Sequence, residues 1–195
     1  ERLKKIIHNY DALAIRSNTN VDKEILLLSS NLKVIGRAGI GVDNIDIDSA
    51  TSKGIIVMNT PHGNSITTAE HTIAMIMSLA RQIPDANVST KKGKWEKSKF
   101  VGTEITGKKL GLIGCGNIGS IVVDRAKGLK MNVQVYDPFL TDDKSKELGI
   151  EKVSFENLLG SSDIISIHTP LTDSTRNIIN SDNIYSLKKG AWIIN

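Results

Sequence analysis

Several things are scarce in this chain of 195 residues, and each scarcity excludes something. There is one cysteine, Cys115, so no disulfide framework exists, and this usage fits a reducing cytosol. No run of about 18 apolar residues occurs, so no membrane-spanning helix is expected. The start, Glu1-Arg2-Leu3-Lys4-Lys5, is polar and no apolar core follows it, unlike a secretory leader. There is no low-complexity segment and no internal repeat beyond an alternation of strand and helix. Neither charge sign dominates strongly: the net charge is +4 and the isoelectric point is about 9.1. That mild basicity suits an acidic substrate better than nucleic acid. The densest basic stretch, Lys91, Lys92, Lys94, Lys97 and Lys99, is broken by Glu96 and reads as a solvated segment.

What is present is a hydrophobic content of 39%, ordinary for a globular protein, and one stretch around which the rest is organised. Leu110, Leu112 and Ile113 form an apolar run without polar alternation, as in a strand buried on both faces. Gly114, Gly116 and Gly119 follow as G-x-G-x-x-G. Ile118, Ile121, Val122, Ala126 and Leu129 then recur at helical spacing. Asn132 to Tyr136 is a second strand, and Asp137 ends it. Each glycine has a task in a dinucleotide site. Gly114 permits the tight turn, Gly116 lets a pyrophosphate approach the backbone, and Gly119 lets the helix pack on the strand. The helix start at Asn117 and Ile118 offers N–H groups and a positive dipole end. Asp137, eighteen positions after Gly119, is placed to accept hydrogen bonds from ribose hydroxyls. Its charge also selects the cofactor. A 2′-phosphate at about 4 Å would be repelled by roughly 4 kcal/mol per charge pair in a partly screened site. Pro138 and Phe139 follow with no arginine, so NAD is expected over NADP. Cys115, inside the motif, reads as a small packing residue.

Elsewhere the pattern gives strands at Ala12–Arg16, Lys33–Ile35 and Ile55–Met58. Helices are expected over Val21–Leu28, with Asp22 as its cap, and over Asn44–Lys53, stopped by Gly54. The glycine-rich segment Gly36-Arg37-Ala38-Gly39-Ile40-Gly41 invites close backbone approach, and Arg37 makes it a candidate anion site. Pro61 and Gly63 mark a break, so two domains are expected, 1–62 and 63–195. Thr67–Arg81 is an apolar helix, mostly buried and a candidate subunit contact. Glu70 near its start fits a helix-terminus charge or a functional acid equally, and His71 reads as structural. Trp95 and Phe100, among lysines, suggest either a partner surface or a loop tucked on its own core. Further on, Asp142–Gly149, Phe155–Leu159 and Ser181–Leu187 read as helical. Val153, Asp163–Ile167 and Ala191–Ile194 read as strands. Strands alternating with helices from residue 109 onward mean an α/β, Rossmann-like, doubly wound parallel sheet. Ligands in such sheets sit at the strands' carboxyl ends, where Asp137, His168, Thr169 and Asn195 fall.

The segments GRAGIGVDNID (36–46), NTPHGNS (59–65), ARQIP (80–84), GKWEKSKFVGTEITGKKLGLIG (93–114), YDP (136–138), HTPLT (168–172) and KKGAWIIN (188–195) resemble the D-isomer-specific 2-hydroxyacid dehydrogenases, in particular their phosphoglycerate-oxidising branch. The resemblance implies NAD-dependent oxidation of 3-phosphoglycerate, the entry to serine synthesis, in the cytoplasm. It implies part of a smaller flavodoxin-like substrate domain beside an incomplete NAD domain. Arg16, Arg37, Asn64 and the main-chain N–H groups of Ala38 and Gly39 would hold substrate. Ile40, Asn117, Ile118, Asp137 and Thr169 would line NAD, with His168 and Pro170 beside them. The helix from Thr67 would serve a homodimer, itself able to build a homotetramer. The family's catalytic arginine, acid and histidine would all lie beyond Asn195, so this stretch, read as a fragment cut at both ends, is expected to turn nothing over. No metal, membrane or nucleic-acid partner is expected. Two other functions fit the same scaffold: oxidation or reduction of an unphosphorylated 2-hydroxy or 2-keto acid, and an NAD-sensing co-repressor-like binding protein.

Overall fold

The computed structural model describes residues 2–195, which form two compact units with the division between Ser65 and Ile66.

The first unit is a three-stranded parallel sheet, β1 (Ala12–Ile15), β2 (Val34–Arg37) and β3 (Ile56–Asn59), in that order. Helices α1 (Arg2–Ile6), α2 (Lys23–Leu28) and α3 (Ile47–Ser52) accompany it. Asp22 caps α2 through the Ile25 N–H at 2.9 Å, as expected. Helix α3 is shorter than the expected Asn44–Lys53. Its cap is Asp46, which accepts from the Ser49 N–H at 2.9 Å, and the preceding Asn44 is used elsewhere. Ile7, Val21, Leu26, Ile35 and Ala50 are wholly buried and make the core of this unit. The register sets Ile15, Arg37 and Asn59 side by side at the strands' carboxyl ends.

The second unit contains helix α4 (Ser65–Ala80) from Ile66 onward, then α5 (Ile83–Lys91). A five-stranded parallel sheet follows: β4 (Lys109–Ile113), β5 (Asn132–Tyr136), β6 (Glu151–Lys152), β7 (Ile164–Ile167) and β8 (Trp192–Ile194). The spatial order is β6-β5-β4-β7-β8, so the chain winds one way from β4 and then returns to wind the other. Helices α6 (Asn117–Gly128), α7 (Asp142–Leu148) and α8 (Phe155–Ser161) make the crossovers. Strand β4 is buried on both faces. Leu110 and Leu112 pack with Ala69, Ile76, Val122 and Ala126, and Ile113 packs with Leu158 and Ile165 on the other side. Each such leucine, isoleucine or valine contributes about 1.5–3 kcal/mol on burial. At the opposite end of the sheet Asp163 ties two strands' approaches. It accepts from the Lys109 N–H at 2.8 Å and from Lys188 Nζ at 2.7 Å, the first being the main reason its pKa is lowered.

One helix was missed and two expectations are corrected. Helix α5 was not visible in the sequence. Residues 181–187 form only a 3₁₀ turn at Ile184–Ser186 rather than a helix, because local side chains take up the backbone groups. Asn180 N–H donates to Asn183 Oδ1, Asp182 N–H to Asn180 Oδ1, and Asn183 Nδ2 to the Ile178 carbonyl. Helix α4 is also less buried than expected, since Ile66, Met75 and Leu79 stand about half exposed. No helix among the described residues is long and apolar enough to cross a membrane.

Candidate functional site

In the second unit the glycine loop sits where the sheet reverses its winding, between the carboxyl ends of β4, β5 and β7. The Gly114 N–H donates to the Tyr136 carbonyl at 2.9 Å, and the His168 N–H donates to the Ile113 carbonyl at 2.8 Å. Gly114 has φ +96, and a Cβ there would meet the His168 carbonyl oxygen at 2.7 Å, so only glycine makes this turn. A Cβ on Gly119 would meet the Gly114 carbonyl oxygen at 2.5 Å, the close approach of helix to strand that the motif requires. Gly116 differs: a Cβ there would meet nothing within 4 Å, and the residue is exposed. Its lack of a side chain serves no contact within the protein. It leaves the backbone open to a ligand.

Helix α6 begins at Asn117 with Gly116 as its cap residue and no capping side chain, so the helix start is not closed by a Ser, Thr or Asp oxygen. This fits the diphosphate of a dinucleotide, which would take the N–H groups and the positive dipole end. Asp137 is half-buried and points back to the loop. One carboxylate oxygen accepts from the Cys115 N–H at 2.7 Å and the other from the Phe139 N–H at 2.8 Å. A carboxylate has about four acceptor positions, so two remain for ribose hydroxyls. The Cys115 thiol is pushed up to about 11 by burial first and by the Asp137 charge second, which makes it inert near neutral pH. Of the remaining expected residues here, Ile118 is half-buried in the first turn of α6, and Thr169 and Pro170 follow His168 off β7. Burial lowers the His168 pKa to about 4 and keeps the ring neutral. Its Nε2 lies 2.9 Å from Ser166 Oγ. Ser166 was not singled out from the sequence. The available signal was its place two residues before His168, on the same face of an extended strand.

In the first unit Arg37 ends β2 and is buried, an unusual position for a guanidinium. Among the described residues its Nη1 has only a long ion pair to Asp43 Oδ1, at 3.7 Å, and its Nε has no hydrogen-bond partner. A Cβ on Gly41 would meet Asp43 Oδ1 at 2.7 Å and Arg37 Nη1 at 3.0 Å, so the lack of a side chain there makes room for the pair, while one on Gly39 would stand in ordinary contact at 3.6 Å. Arg16 follows β1 on the adjacent strand and is exposed. Two asparagines fix the loops. Asn44 Nδ2 donates to the carbonyls of Arg16 at 3.2 Å and Thr19 at 2.6 Å, and Asn59 Nδ2 donates to the Ile40 carbonyl at 2.7 Å. Neither had been identified from the sequence. The Ala38 and Gly39 N–H groups donate to the Ile15 and Arg37 carbonyls at 2.9 and 3.0 Å, so both are already engaged within the protein. Asn64 is exposed in the turn before α4. His62, Glu70 and His71 are exposed, and Trp95 is 84% exposed. Phe100 is half-buried beneath the Lys99 ammonium, 5.5 Å from the ring centre.

Comparison with known proteins agrees with this geometry. Residues 73–195 match the family model described as "D-isomer specific 2-hydroxyacid dehydrogenase, NAD binding domain". The chain is 50% identical over 189 residues to a D-3-phosphoglycerate dehydrogenase of Bacillus subtilis, covering 97% of this chain and 36% of that protein. It is 47% identical over 195 residues to a protein of the same name from Archaeoglobus fulgidus, covering all of this chain and 37% of the relative. The chain thus spans little more than a third of the length of the curated relatives it matches. Among solved structures, D-lactate dehydrogenase of Aquifex aeolicus complexed with NAD and lactic acid superposes with a TM-score of 0.91 at 32% identity, over 98% of this chain and 58% of that one. A glycine loop at the carboxyl ends of the central strands, a carboxylate bonded to its backbone and this family match over most of the chain lead to one conclusion: the chain belongs to the D-isomer-specific 2-hydroxyacid dehydrogenases.

Proposed function

We propose that the protein oxidises D-3-phosphoglycerate to 3-phosphohydroxypyruvate with NAD, the first step of L-serine biosynthesis, in the cytoplasm. The observation that carries the substrate class is Arg37. A buried guanidinium with one long ion pair and an unpartnered Nε has binding capacity that the protein does not use. Arg16 at the end of the neighbouring strand adds a second cation, and two cations suit a phosphorylated acid. Asn64 adds a neutral contact to the substrate. Ala38 and Gly39 provide the close backbone approach, and their N–H groups serve a carboxylate only by exchanging their present carbonyl partners.

Bound NAD supplies the acceptor for the hydride leaving the substrate's C2. The protein residues do the rest. Gly114, Gly116, Asn117, Ile118 and Gly119 seat the diphosphate, and Asp137 takes the ribose hydroxyls and excludes a 2′-phosphate. His168, Thr169 and Pro170 complete the lining. The base that takes the hydroxyl proton, its orienting acid and the carboxylate-gripping arginine are not assigned to any of residues 1–195. None of His62, His71 and His168 replaces that base, so residues 1–195 alone give no turnover. The half-exposed Met75 and Leu79, one helical turn apart on α4, support a second copy of the chain as partner, in a homodimer or a homotetramer built from it.

The test is Arg37→Ala in the full-length enzyme. The expected result is a KM for phosphoglycerate raised at least about tenfold, as for loss of a charge-assisted hydrogen bond, with the NADH dissociation constant unchanged. An unchanged KM would remove the phosphate argument and favour an unphosphorylated 2-hydroxy acid such as the lactate held by the Aquifex relative.

A further inference from the structure

We infer that Ser166 fixes His168 as the neutral tautomer protonated on Nδ1, and that this N–H is a hydrogen-bond donor to an oxygen of the bound cofactor's ribose-diphosphate. The donor half rests on the cofactor reading above. The tautomer half does not.

Ser166 lies on β7, in register between Leu112 and Ile194, and only 1% of it is exposed. Its Oγ stands 2.9 Å from His168 Nε2, and among the described residues the hydroxyl has no other partner. A buried O–H left without an acceptor costs about 1–3 kcal/mol. The serine proton therefore goes to Nε2, the one acceptor within reach. A ring nitrogen that accepts carries no proton of its own. A neutral imidazole keeps one proton, so it is on Nδ1. Burial lowers the ring's pKa to about 4, so a second proton is absent at neutral pH.

The backbone places His168 at the rim of the glycine loop. The His168 N–H is bound to the Ile113 carbonyl, and the His168 carbonyl closes over Gly114. The phosphate and ribose oxygens of a dinucleotide accept hydrogen bonds. An N–H at this rim can serve them, whereas a bare ring nitrogen would face their lone pairs. In this arrangement Ser166 is a positioning residue: it acts on the ligand only through the histidine.

The side-chain amide of asparagine places its NH₂ near the histidine Nδ1 position, and that of glutamine reaches the Nε2 position. This gives a test in the full-length protein. With ¹⁵N-labelled histidine, the His168 signals, identified by their loss in His168→Asn, should show a protonated Nδ1 and an unprotonated Nε2. In Ser166→Ala they should move toward a mixture of tautomers. In NADH titrations followed by fluorescence, His168→Asn should bind within about threefold of the parent, while His168→Gln and Ser166→Ala should bind about tenfold and several-fold more weakly. A protonated Nε2, ¹⁵N signals unmoved by Ser166→Ala, or glutamine binding as well as asparagine would overturn the inference. Absence of NADH binding by the parent protein would overturn the cofactor reading and the donor half with it, and the ¹⁵N spectrum would still decide the tautomer.

Discussion

Asp137 accepts a hydrogen bond from the backbone N–H of Cys115 at 2.7 Å, across the 22 positions that separate the end of β5 from the glycine loop. The carboxylate thus has two tasks, holding the loop in shape and facing the ribose. Asp137→Ala should therefore lower stability by about 1.5–3 kcal/mol, the usual worth of a hydrogen bond to a charged group. It should also narrow the preference for NADH over NADPH, because the repulsion of a 2′-phosphate disappears. Parallel titrations with the two reduced cofactors check this. A preference ratio unchanged by the substitution would remove Asp137 from cofactor selection.

The glycines separate binding from folding. Gly116→Ala adds a methyl group where nothing stands within 4 Å, so the thermal midpoint should hold while NADH affinity falls. Gly119→Ala drives a methyl group into the Gly114 carbonyl oxygen, and overpacking of this kind costs about 1–3 kcal/mol. Its thermal midpoint should fall by several degrees. Calorimetry beside a cofactor titration distinguishes the two, and equal losses of stability in both variants would contradict the assignment.

His168 makes stability depend on pH. Its pKa is about 4 in the folded protein against 6.5 unfolded, because burial disfavours the imidazolium. Its contribution is complete above pH 6.5. As pH falls from there toward 4, the unfolded chain takes up the proton first and stability drops, by up to about 3 kcal/mol for this group. Asp163, whose pKa is lowered by the Lys109 N–H and Lys188, loses its contribution only at lower pH, as its carboxylate protonates. Denaturant midpoints between pH 7 and 4 should fall more steeply for the parent than for His168→Asn. Parallel curves would show the ring to be solvated.

The sequence reveals the elements that backbone sterics specify and hides those that side-chain competition decides. Strand β4, the glycine turn, α6, β5 and Asp137 are legible because each needs a particular residue type: unbroken apolar residues, no Cβ, or a terminal acid. Helix α5 is hidden because Ile83–Lys91 is mostly polar or β-branched, with Pro84 near its start as the one clear sign. The segment 181–187 misleads in the other direction, since Asn183 and Asp182, with Asn180 just before them, spend backbone groups on turns. In the candidate sites, Arg37 is visible as a charge among glycines, but its unpartnered Nε is a property of packing alone. The carbonyl ties made by Asn44 and Asn59 run between loops distant in sequence, which no local pattern reports.

The central claim is phosphoglycerate oxidation with NAD by the full-length protein, and it is tested most directly by absorbance at the NADH band. NAD would be supplied with D-3-phosphoglycerate, D-lactate or D-glycerate in separate reactions. The account predicts a rate with phosphoglycerate and none with the other two. A rate only with an unphosphorylated acid would contradict the phosphate role of Arg16 and Arg37, and silence with all three despite tight NADH binding would leave an NAD-sensing protein instead of an enzyme.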